Sequence, residues 1–127
     1  MDDETGKLNS ITEQIIGCAI EVHKNIGPGL LESIYEKALC YELDRRPLRY
    51  RSQATIPIMY KGHSLGEQRI DLIVEDAVIV ELKAVDQMMP VYEAQLLSYL
   101  RLTNAKLGLL INFNVEVLKR GVKRIIL

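Results

Sequence analysis

Arg69-Ile70-Asp71-Leu72-Ile73-Val74-Glu75-Asp76-Ala77-Val78-Ile79-Val80-Glu81-Leu82-Lys83 is the stretch that decides how this chain folds. Two aliphatic, β-branched runs flank a polar break at Glu75-Asp76, the pattern of two strands joined by a short turn. Opposed residues of an antiparallel pair share a face, and a slip of one residue exchanges the faces. A two-residue turn at Glu75-Asp76 would set Asp71 against Val80 and send Glu81 to the other side. A three-residue turn from Glu75 to Ala77 sorts the side chains more cleanly. It pairs Ile70 with Leu82, Leu72 with Val80 and Val74 with Val78, so one face is entirely aliphatic. The other face then carries Asp71 opposite Glu81 and Arg69 opposite Lys83, with Ile73 and Ile79 beyond them.

That register predicts that Asp71, Glu81 and Lys83 project together from a hairpin whose other face is core. Opposed residues have Cβ atoms ~5 Å apart, and two carboxylates so placed repel unless a cation or a proton lies between them. A divalent cation resolves the conflict and brings chemistry: it polarises a phosphoryl oxygen, activates water and orients the scissile group. The main-chain carbonyl of Leu82 would complete a set that leaves positions for water and substrate, as Mg²⁺ prefers. Lys83 would orient the attacking water or stabilise developing charge. The alternative is a cross-strand salt-bridge cluster, Asp71 with Arg69 and Glu81 with Lys83, worth under ~1 kcal/mol per pair. Ile73 and Ile79 on the same face argue that the face is covered, and covered carboxylates need a stronger partner than solvent.

Outward from the hairpin, the first helix is expected to begin near Asn9 or Ser10, where Ser10 and Glu13 have capping-box spacing. Ile11, Ile15, Cys18, Ala19 and Val22 recur at helical spacing and should face the core. Gly27-Pro28-Gly29 stops that helix and starts a second over about residues 30–43, which buries Leu31, Ile34, Tyr35, Ala38 and Leu39. Strands are expected over about 54–60, 67–74 and 78–84. Pro90 opens a third helix to about residue 103, residues 107–112 read as a strand buried on both faces, and residues 122–127 as a final strand. This order gives an α/β domain with a mixed sheet.

The whole chain agrees. Its 127 residues suit one domain, with residues 1–8 expected as a flexible N-terminal tail. Hydrophobic residues make up 48% and charged residues 26%, an ordinary globular balance. No apolar run approaches the ~18 residues of a membrane span, and the acidic start is unlike a signal peptide, so a cytoplasmic protein is expected. Cys18 and Cys40 sit in helical patterns and read as reduced core residues. His23 and His63 are too far apart for a zinc motif, which leaves carboxylates to hold a hard cation such as Mg²⁺ or Mn²⁺. A net charge of −1 argues against a nonspecific nucleic-acid coat. The basic clusters Arg45, Arg46, Arg49, Arg51 and Lys119, Arg120, Lys123, Arg124 read as solvated faces as readily as a groove.

Asp71 followed by Glu81-Leu82-Lys83 resembles the D…(D/E)-x-K signature of the PD-(D/E)XK nuclease superfamily. Three further matches accompany it, in order. Gly29-Leu30-Leu31-Glu32-Ser33-Ile34-Tyr35 resembles the G-x-x-E-x-x-Y motif of a family of small bacterial and archaeal proteins. Gln95-Leu96-Leu97-Ser98-Tyr99 resembles the Q-x-x-x-Y motif of the RecB-like branch, and Gly108-Leu109-Leu110-Ile111-Asn112-Phe113 the strand that follows in the small family. The resemblance implies a single-domain, restriction-endonuclease-like α/β fold with a mixed central sheet flanked by helices. It implies that Asp71 and Glu81 ligate Mg²⁺ or Mn²⁺, that Glu32 completes the metal site, and that Lys83 acts with the attacking water. Gln95 and Tyr99, one turn apart, would orient the site or contact nucleic-acid backbone. Ile70 stands where the superfamily often has proline.

Glu32 has an alternative as an exposed helix residue, Gln95 and Tyr99 as packing residues, and Tyr35 reads as core. His23 reads as favourable to the helix dipole. The function expected is a metal-dependent nuclease acting on nucleic acid, DNA ahead of RNA. The competing expectations are a catalytically silent module of the same fold that binds a protein or nucleic acid, and an enzyme acting on a small phosphorylated ligand. So short a domain is expected to complete its groove as a homodimer or with an unidentified protein partner.

Overall fold

The structure, a computed structural model, describes residues 3–127. Its sheet grows from the central hairpin. Glu75 and Asp76 both take left-handed backbone, φ 54° and 50°, and the Ala77 N–H donates to the Val74 carbonyl at 3.0 Å. The turn joins β2 (His63–Val74) to β3 (Val78–Lys83) with Leu72 opposite Val80, Ile73 opposite Ile79 and Val74 opposite Val78. This is the register that the three-residue turn requires. β1 (Tyr50–Tyr60) pairs antiparallel outside β2, β4 (Leu107–Asn112) lies parallel beside β3, and β5 (Val122–Ile126) pairs antiparallel outside β4. A parallel step needs a crossover connection, which α3 (Pro90–Thr103) supplies. Every residue of β4 is buried, as the unbroken apolar run demands.

Helices cover both faces. On one, α1 (Asp3–Ile26) and α2 (Glu32–Arg45) bring Ile11, Ile15, Val22, Tyr35, Leu39 and Leu43 against Leu72, Val74, Val78, Val80 and Leu82. On the other, Leu96, Tyr99 and Leu100 of α3 meet Ala54, Ile56, Ile73, Ile79 and Leu110. Gly108 permits that close approach, because a Cβ there would meet the Leu96 side chain at 2.9 Å. Cys18 is buried and Cys40 partly so, both free. Among the described residues no helix is long and apolar enough to cross a membrane.

Tyr35 joins the two helices of the first layer. Fully buried, it stacks on Phe113 at 4.5 Å between ring centroids. Its hydroxyl donates to the Gly27 carbonyl at 2.6 Å and accepts from the Leu30 N–H at 3.1 Å. One side chain thus closes the Gly27-Pro28-Gly29 corner and fixes where α2 begins.

Four expectations are corrected. α1 starts at Asp3 rather than near Ser10, so residues 3–8 are helical and not a tail; Met1 and Asp2 lie outside the described residues. Leu8 packs against the core and carries the apolar stripe one turn upstream, which outweighs the cap signal of Ser10 and Glu13. Leu31 is the extended residue before α2 and Ile34 falls beside its buried stripe, so both are exposed. β1 and β2 are longer than expected, and their side-chain alternation changes phase near Gln53 and Asp71. Tyr50 packs in the first cluster but Ala54 and Ile56 in the second. Ile70, expected to share a face with Leu72, is buried in the second cluster, because Gln53 takes φ 54° in mid-strand and bends the pair.

Candidate functional site

The backbone ladder between β2 and β3 ends at Leu72 and Val80. Beyond it the strands part, and two side chains replace the missing carbonyl acceptors. The Asp71 N–H donates to Glu81 Oε2 at 2.7 Å, and the Leu82 N–H donates to Asp71 Oδ2 at 2.8 Å. Each carboxylate is fixed by one oxygen, which leaves Asp71 Oδ1 and Glu81 Oε1 outside these two bonds. A residue in an extended strand turns its N–H and C=O to the same side, so the Leu82 carbonyl opens on the same gap.

The salt-bridge alternative is not what forms. Among the described residues, the ion pairs are Arg49–Glu75, Arg51–Asp76, Lys106–Glu4 and Lys123–Glu93, none of which uses Asp71, Glu81 or Lys83. The Lys83 ammonium instead rests 4.5 Å from the centroid of the Tyr92 ring, a cation–π contact. Arg69 turns away to Gln53, its Nη1 donating to Oε1 at 3.4 Å.

Too much negative charge is therefore held in too little water. Burial, and then the charge of Asp71, push Glu81 up to about 7 from its ordinary 4.5, with Glu32 adding to the rise. Burial also raises Asp71, against the opposing pull of the Leu82 N–H, Lys83 and Gln53. Glu32 is raised by burial and then by Asp71, which places the first residue of α2 within electrostatic reach. Glu36, one turn further along α2, is raised by burial and by Asp71 while Gln53 holds it down.

Asp71, Glu81 and Lys83 come together, and Glu32 stands at their edge. Among the described residues no group of three or more Asp, Glu, His or Cys side chains closes around a common point, because Glu32 is exposed at the first turn of α2. The donor set is then two hard carboxylate oxygens and a main-chain carbonyl, which fits a cation that keeps several waters, as Mg²⁺ does. Tyr99 is buried on α3, its hydroxyl accepting from Gln68 Nε2 at 3.1 Å, and burial with the charges of Glu81 and Asp71 raises its phenol. Gln95 lies one turn earlier, exposed, and its amide makes no hydrogen bond among the described residues. His23 caps a loop instead of facing the site, with Nε2 2.7 Å from the Val115 carbonyl.

Gln53, Glu36, Tyr92 and Gln68 surround the site without having been singled out in the sequence. Glu36 alone left a trace there, as it follows Glu32 at i+4 on one helix face. Asn112 secures the exit of β3: its amide takes the Val85 N–H at 3.1 Å and donates to the Val85 carbonyl at 3.0 Å.

With the split strands, the paired carboxylates and the lysine in place, the comparison with known families is direct: a model of the PD-(D/E)XK nuclease superfamily matches residues 9–125. The chain belongs to that superfamily. The crystal structure of SSO0001 superimposes with a TM-score of 0.51 at 20% identity, over 73% of this chain and 47% of that one. The chain thus spans about half the length of SSO0001, and the likeness is one of fold. No curated protein matches.

Proposed function

We propose that this protein is a divalent-cation-dependent nuclease that hydrolyses phosphodiester bonds, with DNA the preferred substrate over RNA. The observation that carries the reading is the crossed pair Asp71 and Glu81 in the split between β2 and β3, a buried arrangement that calls for positive charge. Asp71, Glu81 and the Leu82 carbonyl would hold Mg²⁺ or Mn²⁺, with Glu32 approaching from α2. The cation, when bound, supplies Lewis-acid polarisation of the phosphate and acidifies a water.

The chain's own residues do the rest. Glu81 and Asp71 keep their fixed oxygens on backbone N–H groups, so ligand geometry is set before substrate arrives. Lys83 swings from the Tyr92 ring to the nucleophile and offsets charge that develops on the phosphoryl oxygens. Gln95, exposed on α3, is free to contact nucleic-acid backbone, and Tyr99 orients the floor through Gln68. The two sequence motifs beyond the signature support a RecB-like small nuclease, and a second copy or another protein would extend the substrate groove.

The test is cleavage of single- and double-stranded DNA and RNA with Mg²⁺ or Mn²⁺ by wild type, Asp71→Ala and Lys83→Ala. Loss of one catalytic group is expected to lower the rate by about 10²-fold or more. Equal activity in all three would assign the cleavage to a contaminant and sink the reading. Mn²⁺ binding without cleavage would favour a silent module of the same fold.

A further inference from the structure

Gln53 stands in the middle of β1 with left-handed backbone, φ 54°, between the regular pairs Ser52 with Leu72 and Ala54 with Ile70. Such backbone is strained for a residue with a Cβ, whereas glycine adopts it freely. The side chain, meanwhile, is engaged in two directions. Its Nε2 donates to both carboxylate oxygens of Glu36, at 2.7 and 2.9 Å. Its Oε1 accepts from Arg69 Nη1 at 3.4 Å. Gln53 therefore touches the hairpin that carries Asp71 and the helix that carries Glu32, and Glu36 is its handle on that helix. Residues four apart share a helix face, so fixing Glu36 fixes where α2 presents Glu32.

We propose that Gln53 is a positioning residue of the cation site: its amide ties α2 to the split between β2 and β3 and so sets the approach of Glu32 to Asp71. The inference rests on the cation-binding reading above. A primary amide suits the role because it donates and accepts at once. Glutamate at this position would repel Glu36 and Asp71, and lysine would bring a competing cation to them. The left-handed backbone breaks the alternation of β1 and directs the amide across to α2. Glycine would relieve the backbone there but could not make these hydrogen bonds.

The experiment is titration of the whole protein with Mn²⁺ by calorimetry, with thermal melting in parallel, for wild type, Gln53→Gly, Gln53→Met and Asp71→Ala. Gln53→Gly relieves the backbone while adding unfolded-state freedom, so its Tm should stay close to wild type. Its Mn²⁺ Kd should nevertheless rise about tenfold, the loss typical when a partner of a metal ligand is removed. Gln53→Met keeps the length and loses the hydrogen bonds, and should weaken binding equally; Asp71→Ala should abolish it. Wild-type affinity in both Gln53 variants, beside loss in Asp71→Ala, overturns this proposal alone. Affinity that falls only in step with Tm also overturns it, since Gln53 would then be structural. Absence of Mn²⁺ binding by wild type overturns the cation reading and this proposal with it.

Discussion

Replacing Glu81 by glutamine should stabilise the cation-free protein at alkaline pH, even though it removes a carboxylate proposed to hold the cation. Glutamine keeps the shape and still offers an oxygen to the Asp71 N–H, but it carries no charge to repel Asp71. Folding lifts the Glu81 carboxyl from 4.5 to about 7, so the folded state binds that proton more tightly than the unfolded state. The stabilisation from this group is complete below about pH 4.5 and is lost as pH climbs through about 7. The burden on wild type above pH 7 is about 3 kcal/mol, at about 1.4 kcal/mol per tenfold change in proton affinity. For a domain of this size that is about 10 °C in Tm. The assay is thermal unfolding in chelator from pH 5 to 8.5. Glu81→Gln should melt well above wild type at pH 8.5, and the gap should shrink steadily toward pH 5. Mg²⁺ at a hundredfold excess over its Kd returns about 2.7 kcal/mol to wild type alone, which nearly closes the gap. If Glu81→Gln melts at or below wild type at pH 8.5, or if the gap does not change with pH, then Glu81 is not a buried, repelled carboxylate.

Two further predictions concern the frame around the site. Tyr35→Phe removes the hydroxyl that bridges the Gly27 carbonyl and the Leu30 N–H, which should lower stability by about 2 kcal/mol in urea unfolding; a loss below about 0.5 kcal/mol would mean that water replaces it. Gly121→Ala drives a Cβ into the main-chain carbonyl of Asn112, and should destabilise by about 1–3 kcal/mol. A melting temperature equal to wild type would show that the end of β4 yields freely.

The sequence disclosed the hairpin register because a three-residue turn gathers Leu72, Val74, Val78 and Val80 on one face and leaves Asp71 and Glu81 opposed. α3 was equally legible, with Pro90 at its start. What stayed hidden depended on long-range packing. The start of α1 is set by Leu8 meeting the core, and a local cap motif cannot report that contact. Leu31 and Ile34 read as core because hydrophobicity does not say which way a short helix rolls; Tyr35, Leu39 and Leu43 decide it. Ile70 changed clusters because Gln53 adopts a backbone that no propensity assigns to glutamine. The same backbone explains why Gln53 was not singled out as a site residue. Tyr92 was missed since a tyrosine in the first turn of a helix carries no signal of the lysine above it.

The split ladder has a consequence for observing the protein at work. The amides of Asp71 and Leu82 donate to carboxylates rather than to peptide carbonyls, so two backbone N–H groups report directly on the charge of the centre. Protonation of Glu81, or capture of a cation, would alter the acceptor and hence the chemical shift and exchange rate of those two amides. The centre carries its own spectroscopic probes, already in place in the unmodified chain.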